Sequence, residues 1–196
     1  MQKSKFLELT NAVIDSFSGT ESDINYHLQT LRYFSKQCDS IVEMGVRWIV
    51  STWAFLDAKP KKLTSYDINH PNIWQEGELR LNECKNFARE NNIEFNFIQD
   101  DVLKVNIEET DLLFLDTWHV YDQLKQELKI HSSKVKKYII LHDTVTFGET
   151  GETEGYKGIN YAINEFLIEN EGAWRLYEHY TFNNGLTVLR NEKTFL

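Results

Sequence analysis

The stretch Ile41–Leu56, IVEMGVRWIVSTWAFL, decides how the rest of the chain is read. An apolar run ends in Glu43-x-Gly45, a short turn follows, and Ser51-Thr52 opens a helical pattern. A strand tip, a backbone that bends tightly at glycine and a helix start together make an open crevice for a small polar ligand. Ile49 stands in that turn where a second glycine is expected.

Outward from this stretch, short apolar runs at 40–45, 62–67, 93–98, 111–116 and 137–142 alternate with helical patterns at 50–58, 74–91, 119–131 and 158–170. Val120, Leu124 and Leu128 share one helix face, as do Ile159, Ile163, Phe166 and Leu167. Such alternation predicts an α/β fold with a mostly parallel sheet covered on both faces. Upstream, Phe6, Leu9, Val13 and Phe17 predict a helix over residues 3–17, broken at Ser18-Gly19-Thr20. Ile24, Leu28 and Leu31 mark a second helix. Downstream, Trp174–Phe182 and Gly185–Arg190 read as strands joined across Asn183-Asn184-Gly185, where Asn-Gly supplies the positive φ of a tight hairpin. One final antiparallel strand is the expectation. The whole reads as a single domain, with N-terminal helices over 1–37 and a core over 38–190; one domain of a larger protein fits the length equally.

With 196 residues, 41% apolar and 26% charged, the chain can bury a sizeable core. No apolar run is long enough to span a membrane. Cys38 and Cys84 are far apart and read as reduced thiols, which points to a cytoplasmic location. A net charge of −9 argues against nucleic acid, whose affinity depends on phosphate neutralisation. The basic cluster Lys134-x-Lys136-Lys137 reads as a solvated rim.

Ligands of open α/β sheets sit beyond the carboxyl ends of the strands, and every predicted strand here ends in an acid. The tips are Glu43-Met44-Gly45, Tyr66-Asp67, Gln99-Asp100-Asp101, Asp116-Thr117-Trp118-His119 and His142-Asp143. Asp67 is placed to accept from a ribose diol and Asp101 from an adenine amino group, with helix or turn capping as the bland alternative for each. Ser51 and Thr52 suit either a ligand carboxylate or the cap of their own helix. Asp116, His142 and Asp143 form a donor set for Mg²⁺ or Mn²⁺, against a core histidine and a turn cap. His119 is a candidate general base, against an ordinary surface histidine. Trp48 and Trp118 offer faces for an adenine or sugar ring, while Trp53 and Trp174 are assigned to the core. The loop Thr146–Gly158, TFGETGETEGYKG, reads as a lid or an idle connection.

Glu43-x-Gly45 before Ser51-Thr52, Asp67, Asp116-x-x-His119-x-Tyr121 and Leu141-His142-Asp143 resemble class I S-adenosylmethionine-dependent methyltransferases with a Rossmann-like sheet. More narrowly, the chain is similar to the small sugar O-methyltransferases of the cephalosporin-hydroxylase and macrocin-methyltransferase group, as in glycan methyltransferase domains of large DNA viruses and some bacteria. The resemblance covers about residues 38–190. It implies S-adenosylmethionine held by Glu43, Gly45, Arg47, Ser51, Thr52, Asp67, Asp101, Asp116 and Trp118. It implies catalysis by His119 and Asp116, and a divalent ion at Asp116, His142 and Asp143. The implied reaction is O-methylation of a sugar hydroxyl, rhamnose among the acceptors, on a small molecule or oligosaccharide; a homo-oligomer is compatible with it, as is the cytoplasm of a host cell. Two residues depart from the pattern: Ile49, where many relatives have glycine, and His142, where relatives often carry an acid. The alternative is a non-catalytic glycan-binding or accessory domain in which Ile49 blocks the cofactor.

Overall fold

A computed structural model describes residues 23–195. The helix expected over 3–17 and its break at 18–20 therefore lie outside the described residues. The described residues form two compact units that divide after Asp100.

In the first unit, a 3₁₀ turn at Asp23–His27 leads into α1, Leu28–Ser35, whose buried face carries Leu28, Leu31 and Phe34. The expected helix thus begins with a tighter turn. Strand β1, Ser40–Met44, is followed by α2, Ser51–Asp57, in which every residue but Asp57 is buried. Arg32 of α1 pairs with Asp57 at the end of α2. Strand β2, Lys62–Asp67, runs parallel to β1, with Met44 opposite Tyr66. Helix α3, Gly77–Glu90, precedes β3, Glu94–Gln99, which lies parallel to β2. Strand β3 has only half-buried and exposed residues. An edge strand has one flank without a partner, which explains the weak burial.

In the second unit, β4, Thr110–Leu115, is buried along its whole length, as a strand covered on both faces must be. Strand β5, Val135–His142, runs parallel to it. Between them α4, Tyr121–His131, buries Leu124, Glu127, Leu128 and His131. Helix α5, Asn160–Glu169, buries Ala162, Ile163 and Phe166, and the Phe166 ring packs on Trp174 at 5.8 Å. Strands β6, Trp174–Tyr180, and β7, Leu186–Asn191, close the chain. Strand β7 is antiparallel to both β5 and β6.

The strand order is β3-β2-β1 within the first unit and β4-β5-β7-β6 within the second. The fold class is the one expected, with one refinement: the antiparallel strand is not the sheet's edge but sits between β5 and β6. The hairpin turn also differs in detail. Asn183 and Asn184, at φ 45° and 66°, are its two central residues, closed by a bond from the Gly185 amide to the Phe182 carbonyl of 3.0 Å. Gly185 follows at φ 91°, and a Cβ there would lie 2.6 Å from the Val145 backbone nitrogen. Glycine is thus required by a positive φ and by close packing together.

Candidate functional site

In the first unit the β1–α2 turn is organised by two acids. Glu43 is fully buried, and its carboxylate accepts hydrogen bonds from the hydroxyls of Ser51 at 2.6 Å, Thr52 at 2.8 Å and Ser65 at 2.6 Å. A buried carboxylate is tolerated only when donors replace its hydration, and these three come from α2 and β2. Ser51 and Thr52, expected at a ligand carboxylate, instead direct their hydroxyl protons to Glu43. Both side chains are buried, and their hydroxyl donors are directed inside the protein.

Asp67, at the tip of β2, accepts from the backbone amides of Val46 and Arg47, each at 2.9 Å, and from Asn69 at 2.8 Å. Successive amides converging on one carboxylate form a nest. An ionised carboxylate has about four lone-pair sites, so one remains for a ligand hydroxyl. Asp67 therefore holds the turn and keeps capacity for the ribose role. Gly45, at φ 88°, lets the chain leave β1, with its amide still bonded to the Tyr66 carbonyl at 2.9 Å. Arg47 is exposed and its guanidinium lies 4.2 Å from the centre of the Trp48 ring, which meets Trp74 edge-on.

Ile49 takes φ 59°, the left-handed conformation glycine adopts without cost. Its side chain is 1% exposed. The isoleucine thus reproduces the glycine-like backbone of the turn while its side chain is taken up by the core. A β-branched residue at positive φ is strained by roughly 1–3 kcal/mol. Burial of the side chain, worth about 1.5–3 kcal/mol, offsets that strain.

In the second unit the tips of β4 and β5 and the loop after β5 converge on His119. Its Nε2 lies 3.1 Å from Asp116 Oδ1 and 3.2 Å from Asp143 Oδ2, and its Nδ1 lies 3.1 Å from Glu152 Oε2. The ring stacks on Phe147, centre to centre 5.2 Å. Burial works against charging this imidazole, but Asp116, Asp143 and Glu152 outweigh it and raise its pKa to about 9. These carboxylates therefore favour the imidazolium form of His119. His142 Nδ1 stands 3.3 Å from the same Asp116 oxygen. Burial pushes the Asp116 carboxyl up, yet His142 and His119 hold it well below the usual carboxylate range.

Asp116, His142 and Asp143 present donor atoms within 4.8 Å of one another. Two carboxylates and an imidazole at that spacing fit a divalent ion with open positions for oxygen ligands. The His119 ring faces these same carboxylates, 3.1 Å from Asp116 and 3.2 Å from Asp143.

The remaining expected residues take ordinary parts. Asp101 accepts from the Leu103 amide at 3.0 Å and pairs with Lys104 at 3.0 Å, and both hold its carboxyl below the usual range. These bonds cap a turn at a half-buried position. Trp118 is 44% exposed, its indole N–H donates to Thr153 at 3.1 Å, and Tyr156 lies 5.3 Å away. Trp53 and Trp174 are buried, as assigned.

Three residues of this cluster were not singled out in the sequence. Glu152, in the loop after β5, ties that loop to the segment after β4, helped by its own amide bonded to the His119 carbonyl at 3.0 Å. Thr117 donates to Glu127 at 2.7 Å. Glu127 lies fully buried on the apolar face of α4. The spacing Leu124-x-x-Glu127-Leu128 was the available signal, because an acid three residues from a core leucine faces the core.

Neither a protein-family model nor a curated protein sequence matches the chain. Among solved structures it is similar to an O-methyltransferase from Bacillus cereus in complex with SAH, at 14% identity, TM-score 0.59, covering 97% of this chain and 92% of that one. It is also similar to the O-methyltransferase TomG of Streptomyces achromogenes, involved in tomaymycin synthesis and solved with SAM, at 12% identity, TM-score 0.57, covering 97% and 91%. A S-adenosylmethionine-dependent methyltransferase from Clostridium acetobutylicum gives 13% identity and TM-score 0.56, covering 95% and 98%. At these identities the likeness concerns the fold.

Proposed function

We propose that this protein is an S-adenosylmethionine-dependent O-methyltransferase, and that its acceptor is a hydroxyl of a sugar or glycan. The observation that carries the reading is the cluster Asp116, His119, His142 and Asp143, assembled at the tips of β4 and β5. Support comes also from the nest around Asp67 and from the similarity in fold to structures that bind SAM or SAH.

In this reading Gly45, Arg47 and the free acceptor site of Asp67 serve the cofactor, and Trp118 offers an exposed ring to a flat ligand face. Methyl transfer makes an O–CH₃ bond, breaks the sulfonium S–CH₃ bond and releases the hydroxyl proton. Positioning of the acceptor oxygen supplies much of the acceleration. His119, fixed by carboxylates on both ring nitrogens and by Phe147, orients Asp116 and Asp143 toward the acceptor. Asp116, His142 and Asp143 would hold a Mg²⁺ or Mn²⁺, which when bound acidifies a coordinated hydroxyl. Ile49, on which the non-catalytic alternative rested, is buried in the core and gives that alternative no support.

The test is calorimetric titration with S-adenosylhomocysteine, followed by a methyl-transfer assay on a panel of oligosaccharides and catechols with and without chelator. Saturable binding and a methylated sugar are expected. No binding at millimolar ligand refutes the cofactor assignment; methylation of catechols alone refutes the glycan.

A further inference from the structure

Among the described residues, Glu127 is a fully buried acid beside this cluster that the proposed chemistry leaves unused. Its Oε1 accepts from Thr117 at 2.7 Å and Gln123 at 2.8 Å. Its Oε2 is buried with no hydrogen-bond partner, although an unsatisfied buried oxygen costs about 1–3 kcal/mol. Beside it lies a cavity of about 10 Å³, bordered by Leu115, Thr117, His119, Glu127, His142 and Ile159. That volume is roughly one water molecule, and its wall is polar enough to hold one.

We propose that Glu127 is the proton acceptor of the site, receiving through a water in this cavity the proton that the methylated hydroxyl gives up. This rests on the methyl-transfer reading. The balance is direct. The acceptor O–H bond breaks as O–CH₃ forms, the sulfonium becomes a neutral thioether, and the proton moves through the cavity water to Oε2, then to solvent once product leaves. The other groups at the site are poorly suited to this role. His119 and Asp116 are bonded to each other at 3.1 Å, and His119 also contacts Asp143 and Glu152, so these groups are engaged with one another. Burial pushes Glu127 up to about 7, against the bonds from Thr117 and Gln123, so it can exchange a proton near neutrality. The charged groups that face it are His119, which favours its ionised form, and Asp101, which opposes it, with His142 across the cavity. Glu127 acts through the water and does not touch the acceptor itself.

The test compares wild type with Glu127→Gln, which keeps the size and leaves an acceptor for Thr117. In infrared difference spectra between pH 5 and 9 the wild type should show a protonated-carboxyl carbonyl band that titrates near neutrality and is missing from E127Q. With an acceptor that the wild type methylates, E127Q should lower kcat about tenfold or more, in the range of lost acid–base assistance, while KM for S-adenosylmethionine stays unchanged. The neutral inflection of the wild-type pH profile should vanish with it. Glu127→Asp should restore the inflection at reduced rate. A spectrum without a band specific to Glu127, or an E127Q profile and kcat matching wild type, overturns the proposal. If the wild type methylates no acceptor, the role falls together with the methyl-transfer reading, and the band then shows whether the carboxyl or the chemistry was at fault.

Discussion

Replacing Glu43 by Gln tests the reasoning about the β1–α2 turn most directly. The carboxylate takes three hydroxyl donors at 2.6, 2.8 and 2.6 Å with no exposure to water. Hydrogen bonds to a charged acceptor are worth about 1.5–3 kcal/mol, those to a neutral one about 0.5–1.5. Neutralising the acceptor thus removes roughly 1 kcal/mol per bond, or about 3 kcal/mol for the three. The new amide NH₂ cannot accept, so one hydroxyl must rotate or lose its partner, for a total of about 3–5 kcal/mol. For a chain of this length such a loss lowers Tm by roughly 10 °C. Urea unfolding followed by tryptophan fluorescence is suited to it, because Trp53 of α2 is buried beside Phe87 and reports this unit. Ser65→Ala, which removes one donor and leaves the other two, should cost about 1–2 kcal/mol. A Glu43→Gln protein melting within about 2 °C of wild type would refute the idea that this buried acid organises the turn.

Three further outcomes follow from the same structure. Ile49→Gly should relieve the left-handed strain but empty a core position, so it should destabilise by about 1–3 kcal/mol in urea unfolding; a more stable variant would show that strain outweighs packing. Glu127 binds a proton more tightly folded than unfolded, so wild-type stability should fall as pH rises from about 4.5 to about 7, by roughly 3 kcal/mol. E127Q should lack that slope in melts across the range; an unchanged slope assigns it to another group. Gly185→Ala, which forces a Cβ to within 2.6 Å of the Val145 backbone at φ 91°, should cost about 2–4 kcal/mol by chemical denaturation; a neutral effect would mean the β5–β7 neighbourhood yields easily.

The strands were legible because their apolar runs are short and bounded by Gly, Pro, Asn and Asp, and each lies within two residues of its predicted limits. The β4 run, TDLLFL, reads as a strand buried on both faces without any knowledge of neighbours. The place of β7 between β5 and β6 was not legible, since strand order is a matter of pairing and not of local pattern. The candidate residues at the tips were found by asking what ends each strand, and Asp116, His119, His142 and Asp143 do come together. Their protonation was not legible, because a histidine's pKa depends on how many carboxylates surround it.

By itself the sequence determined the alternating α/β architecture, the turn after Met44 and the set of acids at the strand ends, because periodicity, glycine placement and strand-end identity are local properties. Only the tertiary structure decided what each of those groups does. Ser51 and Thr52 serve Glu43, Ile49 turns inward at a glycine-like φ, His119 is held by three carboxylates, and Glu127 faces a water-sized cavity. The physical reason is that hydrogen-bond partners, burial and local charge are set by residues distant in the chain, and these decide whether a polar side chain remains for a ligand or is used up by the fold.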